Sequence, residues 1–175
     1  LSAQHLSEVI NNILDLSKIE AGKMELAPAT TQLLEVIEDF YSVYKTQAER
    51  KGVVLSCECD TNLPQTVRID AGKVKQVLIN LFSNAIKFTP SGKRIDLWFS
   101  AEDEQLVFRI SDQGIGIPAD RLNSIFEDFE QVNGTITRDY GGSGLGLAIT
   151  KKILTLLEGT VTVESALGQG TTFTI

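Results

Sequence analysis

The chain is poor in histidine, cysteine and long apolar runs, and each shortage excludes a class of function. One histidine, His5, cannot build a multi-histidine metal cage. The longest apolar runs, such as Val77–Ile79 and Ile153–Leu157, break within a few residues and fall far short of the roughly 18 to 20 that a membrane span needs. The chain opens at Leu1 with no initiator Met and no charged-then-apolar leader pattern, as expected of a piece of something longer. Its two cysteines, Cys57 and Cys59, fall where alternation sets Val53, Leu55, Cys57 and Cys59 on one strand face. Same-strand neighbours are poorly placed to bridge, so the expectation is reduced core cysteines in a cytosolic domain. Positive charge is also short: 16 Lys+Arg against 23 Asp+Glu leave −7, which argues against a general nucleic-acid binder.

What is present is an ordinary globular composition. With 175 residues, 42% hydrophobic and 22% charged, the chain fits one domain plus a short appendage and needs no staples. Leu6, Val9, Ile10, Ile13, Leu16 and Ile19 recur at helical spacing, so residues 1 to about 22 predict an amphipathic helix whose burial must come from another chain or from upstream sequence. A second helical pattern runs from Thr31 to about Arg50 and stops at Gly52. Then come a strand (Val53 to Cys59), a helix (Ala71 to about Phe88), a hairpin (Ile95 to Phe99 with Leu106 to Ile110), a helix after Gly144, and a final hairpin from Thr160 to Ile175. Strands in adjacent hairpins with helices between them predict a two-layer α/β sandwich, a mixed sheet with helices on one face, plus the appended N-terminal helix.

Three segments carry chemistry. On the Ala71 helix, Gln76, Asn80, Asn84 and Lys87 align in a polar stripe opposite Val77, Leu78, Leu81 and Ala85. Asparagine is a mediocre helix former, but a neutral amide oxygen can ligate Mg²⁺ and a lysine one turn on can meet a phosphate; the plainer alternative is a polar face without a role. The second segment, Asp112-Gln113-Gly114-Ile115-Gly116, follows a strand. An aspartate there can accept from an exocyclic amine such as that of adenine, while the plainer reading is a glycine-rich turn with an Asx cap. In the third, Gly141-Gly142-Ser143-Gly144-Leu145-Gly146 leads into a helix, and N–H groups at a helix N-terminus form an anion site. Neither a G-x-x-x-x-G-K-[ST] loop nor a full G-x-G-x-x-G occurs there, since Leu147 stands where the latter needs glycine. Phe126 and Phe129, three apart, suit core packing.

In order and spacing these segments resemble the boxes of sensor histidine kinases. Asn80 to Pro90 is similar to the N box, Asp112 to Gly116 to the G1 box, Phe126 to Phe129 to the F box, Gly142 to Leu147 to the G2 box, and Gly168 to Phe173 to the last glycine motif. Leu14 to Lys23 is similar to the end of the second helix of the dimerisation and phosphotransfer domain, especially in hybrid kinases. The resemblance implies a Bergerat α/β sandwich at 30–175, the tail of the dimerisation domain at 1–25, and Mg²⁺-ATP as ligand. It implies that Asp112 holds the adenine amine, that Phe88 and Ile117 help wall the base, and that Asn80 and Asn84 serve Mg²⁺ and phosphates. Lys87 would reach a phosphate, Gly144 and Gly146 would present amides, and Gly114, Gly116, Gly142, Ser143, Leu145, Leu147 and Thr172 complete the site. Residues from about Gln131 to Ser143 would be a mobile lid, with Arg138 and Tyr140 near the nucleotide. The implied partners are a phosphoacceptor histidine of the dimerisation domain, a response-regulator receiver and a second copy of the chain. Nucleic acid and membrane contact are not expected, and the location implied is the cytoplasmic part of a sensor kinase.

The pattern departs from the family at the acceptor. The phosphorylated histidine of such kinases precedes Glu on the first dimerisation helix, whereas His5 precedes Leu6-Ser7 and reads as a packing or bundle-surface residue. The chain is therefore expected to bind ATP and to transfer phosphate only to a histidine supplied elsewhere. Related ATPases place a water-activating glutamate where Asn80 stands, and an amide cannot take that proton, so hydrolysis should be slow. A third possibility is a pseudokinase kept as a partner-binding module.

Overall fold

A computed structural model describes residues 3–128 and 144–175. Five strands form a mixed sheet in the order β2 (Val54–Cys59), β4 (Arg94–Glu102), β5 (Gln105–Asp112), β7 (Gly170–Thr174) and β6 (Thr162–Ala166). Among the described strands only the β2–β4 pair is parallel. Alternation decides which side is covered. In β4, Ile95, Leu97 and Phe99 point inward and are buried, while Arg94 and Trp98 face the opposite, exposed side. Against the inner side lie α2 (Leu33–Lys51), α3 (Ala71–Phe88) and α4 (Gly146–Leu156), so the core is a helix layer on a sheet layer as the sequence predicts.

Each helix begins and ends for a local reason. Asp70 caps α3, its carboxylate accepting the Lys73 N–H at 3.0 Å, and Thr89 closes the other end by donating N–H and hydroxyl to the Ala85 carbonyl. Gly52 ends α2 in the left-handed region at φ 72°. Lys51, the last residue of α2, reaches across to the final turn of α3. Its ammonium donates to the carbonyls of Ile86 and Lys87, the latter at 2.7 Å, and burial lowers its pKa.

Three expectations are corrected. Thr31 belongs to a short strand, β1 (Ala29–Gln32), which pairs antiparallel with β3 (Thr66–Ile69), and α2 starts only at Leu33. Four-residue strands separated by a whole helix leave little periodicity to read. Cys57 is half-buried and Cys59 exposed, because β2 is an edge strand and Cys59 is its last residue. Burial, with the neighbouring Cys59, pushes the Cys57 thiol up to about 12. The appended helix α1 (Ala3–Glu20) does not wait wholly for an outside partner. Leu16 is buried in the chain's own core beside α4, Gln76 of α3 donates to Asp15 at 2.6 Å, and Lys152 of α4 bridges Glu20 at 3.3 Å and Asp128 at 2.9 Å. Ile10, Ile13 and Leu14 remain exposed. The His5 side chain lies outside the described residues, so the packing reading made of it concerns an undescribed group. No helix among the described residues is long and apolar enough to cross a membrane.

Candidate functional site

Asp112 closes β5 on the helix-facing side and is 8% exposed. At its level the paired residues across the sheet are Asp112, Thr171 and Ser165, one polar row beside the apolar row Ile110, Phe173 and Val163. A buried carboxylate is costly unless donors reach it. Here the Gly114 N–H donates at 2.7 Å and the Thr171 N–H also donates. Burial nevertheless dominates and pushes the Asp112 pKa up to about 6, the two donors pulling it part of the way back.

Two glycines permit this packing. A Cβ at Gly114 would stand 2.6 Å from the Asp112 carboxylate and 2.7 Å from the Phe88 carbonyl oxygen. A Cβ at Gly170, whose φ is 97°, would stand 1.9 Å from the Asp112 carbonyl oxygen. The end of α3, the turn after β5 and the start of β7 thus meet around one carboxylate.

The other end of the site is built along α3. Asn80 donates from Nδ2 to the Gly146 carbonyl at 3.3 Å and to Thr150 Oγ1 at 3.4 Å, which turns its Oδ1 away from α4. Asn84 is half-buried one turn later, and Lys87 follows with Nζ 4.8 Å from the centre of the Phe88 ring. Burial lowers the Lys87 pKa. Leu145 occupies the N-cap of α4 and carries no side-chain acceptor, so the first N–H groups of that helix are not capped from there. Gly144 precedes it with φ 72°.

Of the residues singled out from sequence, Asn80, Asn84, Lys87, Phe88, Asp112, Gly114, Gly116, Ile117, Gly144, Leu145, Gly146 and Leu147 lie on α3, on the turn after β5 or at the start of α4. Thr172 does not join them. Alternation along β7 turns it to the outer face, where its hydroxyl meets Ser111 at 2.8 Å, and Thr171 is the residue beside Asp112. The inward-facing Phe173 carries that signal in the sequence, since a period of two places Thr171 inward with it. Ser165 and Lys51 were also passed over. Phe126 packs edge-on to Phe173 at 6.3 Å, as core packing predicts. Phe129, Arg138, Tyr140, Gly142, Ser143 and the expected lid at 131–143 lie outside the described residues.

Residues 69–175 match the model of a family described as histidine kinase-, DNA gyrase B- and HSP90-like ATPases. The chain is similar to the autoinducer 2 sensor kinase/phosphatase LuxQ of Vibrio parahaemolyticus, 42% identical over 99% of this chain and 21% of that protein. It is likewise similar to the circadian input-output histidine kinase CikA of Synechococcus elongatus, 40% identical over 99% of this chain and 23% of that protein. It thus spans about a fifth of the length of these curated relatives. Among solved structures, full-length ShkA in complex with AMPPNP superposes with a TM-score of 0.85 at 30% identity, covering 97% of this chain and 35% of that one.

Proposed function

Because the chain belongs to the family of histidine kinase-, DNA gyrase B- and HSP90-like ATPases, and relatives such as LuxQ and CikA are a sensor kinase and a histidine kinase, we propose that it binds Mg²⁺-ATP and passes the γ-phosphoryl group to a protein histidine outside residues 1–175. In this reading 30–175 is the catalytic domain and 1–25 the end of a dimerisation helix. The phosphohistidine then serves a response-regulator receiver, and the full-length protein works as a homodimer.

The carrying observation is that α3 touches the Asp112–Gly114 turn at Phe88 and the start of α4 at Asn80, eight residues or about 12 Å apart along the helix. Such a spine suits an extended nucleotide, base at one end and phosphates at the other. Ionised, Asp112 accepts from the exocyclic amine of the base, with Phe88 and Ile117 beside it. The Asn80 and Asn84 amide oxygens suit a hard cation, which would supply positive charge at the phosphates. The donor set fits, since the Asn80 amide nitrogen is already engaged and its oxygen is turned elsewhere. Lys87 and the N-terminal turn of α4 hold the phosphate oxygens. Positioning and charge are the main demands of phosphoryl transfer, and in this reading residues 30–175 supply both while the acceptor histidine supplies the nucleophile.

Hydrolysis is disfavoured, because the Asn80 amide cannot act as general base. Titration with Mg²⁺-ATP separates the rivals: binding without turnover supports the kinase reading, multiple-turnover phosphate release supports an ATPase, and no binding supports a pseudokinase. Incubation with labelled ATP should leave this chain unlabelled, and label should appear only on an added histidine-bearing dimerisation domain. Acid-labile phosphate on His5 would overturn the placement of the acceptor.

A further inference from the structure

Ser165 sits on the inner face of β6, in the polar row with Thr171 and Asp112. A serine hydroxyl has one proton to donate and two lone pairs to accept with. All three are engaged. The Ile117 N–H donates to Oγ at 2.8 Å, the Gly170 carbonyl oxygen lies 2.7 Å from it, and Thr171 Oγ1 lies 2.9 Å from it. A carbonyl only accepts, so the Ser165 proton belongs to Gly170. In the pair of hydroxyls Thr171 must then be the donor. With its proton directed at Ser165, Thr171 Oγ1 has only lone pairs left to offer, and the carboxylate next to it across the strands is also an acceptor.

We propose that Ser165 is a positioning residue for base selection: by holding the Thr171 proton it keeps Asp112 and Thr171 a double acceptor, matched to the two N–H bonds of a 6-aminopurine and mismatched to the 6-oxo group of guanine. The inference rests on the reading of Asp112 as the base site. Ser165 lines no phosphate or metal position and acts through Thr171. The turn it braces has other supports, since Gly168 N–H donates to the Ile115 carbonyl at 2.7 Å and Gly116 packs directly on the Ala166 carbonyl. The Ser165→Ala protein therefore folds, and Ser165→Thr keeps the hydroxyl in a residue that strands favour.

The test is calorimetric affinity for Mg²⁺-ATP and Mg²⁺-GTP in the wild type, Ser165→Ala, Ser165→Thr and Asp112→Asn. Freed from Ser165, the Thr171 hydroxyl can rotate and donate to an oxo group. The ATP-to-GTP preference of Ser165→Ala should therefore narrow about tenfold, the scale of one hydrogen bond made or lost. Ser165→Thr should keep the wild-type ratio. An unchanged ratio in Ser165→Ala, a common loss of affinity for both nucleotides, or failure of Ser165→Thr to preserve the ratio would overturn the role of Ser165. If Asp112→Asn alone abolishes the preference, the base-site reading stands while that role falls. If Asp112→Asn binds ATP as the wild type does, both fall together.

Discussion

Burial gives Asp112 a pKa of about 6, and the ligand it is read to hold needs the ionised form. Affinity for Mg²⁺-ATP should therefore climb with pH up to about 6, by at most tenfold per unit, and level off above it. Asp112→Asn should remove that component and cost about 1 to 3 kcal/mol of binding, the scale of a charged hydrogen bond, as read by calorimetry across pH 5 to 8. In the free protein the sign reverses. A carboxyl raised above its unfolded value stabilises the fold most below about 4 and loses that contribution as pH rises through about 6. The melting-temperature advantage of the ligand-free wild type over Asp112→Asn should therefore shrink as pH rises over that window. Gly170 is constrained twice, by its positive φ and by the carbonyl that a Cβ would strike at 1.9 Å. Gly170→Ala should lose several kcal/mol in denaturant titration, more than an exposed-loop glycine would.

At the level of elements, α3 is the spine, and its C-terminal turn is where two helix ends converge. Both α2 and α3 bring the negative end of a dipole there, and the Lys51 ammonium lies on the carbonyls of Ile86 and Lys87. Lys51→Met should cost about 1 to 2 kcal/mol of stability in thermal or chemical unfolding. Lys51→Arg should restore most of it. Lys51 was invisible to motif reading because its partners are main-chain atoms thirty-five and thirty-six positions away. The helices themselves were legible. The Ala71–Phe88 span follows directly from its apolar spacing, and the glycine segments announced the turns. The β1–β3 pair was not legible, since neither four-residue strand alternates long enough to stand out. Thr172 was misassigned because the motif was read as a string of letters, whereas a strand assigns its faces by parity: Asp112 pairs with Thr171, and Thr172 pairs with Ser111.

Across the whole molecule, α1 is fastened to the domain by buried Leu16, half-buried Ile19 and two polar ties, while Ile10, Ile13 and Leu14 stay exposed. A helix held so lightly can leave without unfolding what lies beneath it. Leu16→Asp should strip hydrogen-exchange protection from α1 while leaving affinity for Mg²⁺-ATP within about twofold, since α3 and the Asp112 row do not depend on that contact. A nucleotide affinity that falls with α1 would mean the two are coupled. The layering has a practical corollary for measurement. Helices α2, α3 and α4 lie on one side of the sheet, so the only tryptophan, Trp98, looks out from the opposite side, 44% exposed and stacked 5.4 Å from the Arg109 guanidinium. Its ring is separated from the Asp112 row by the thickness of the sheet. Fluorescence at Trp98 should therefore report whether strands β4 and β5 remain paired and stay silent as the pocket fills, which gives this chain a built-in optical probe of folding that ligand does not disturb.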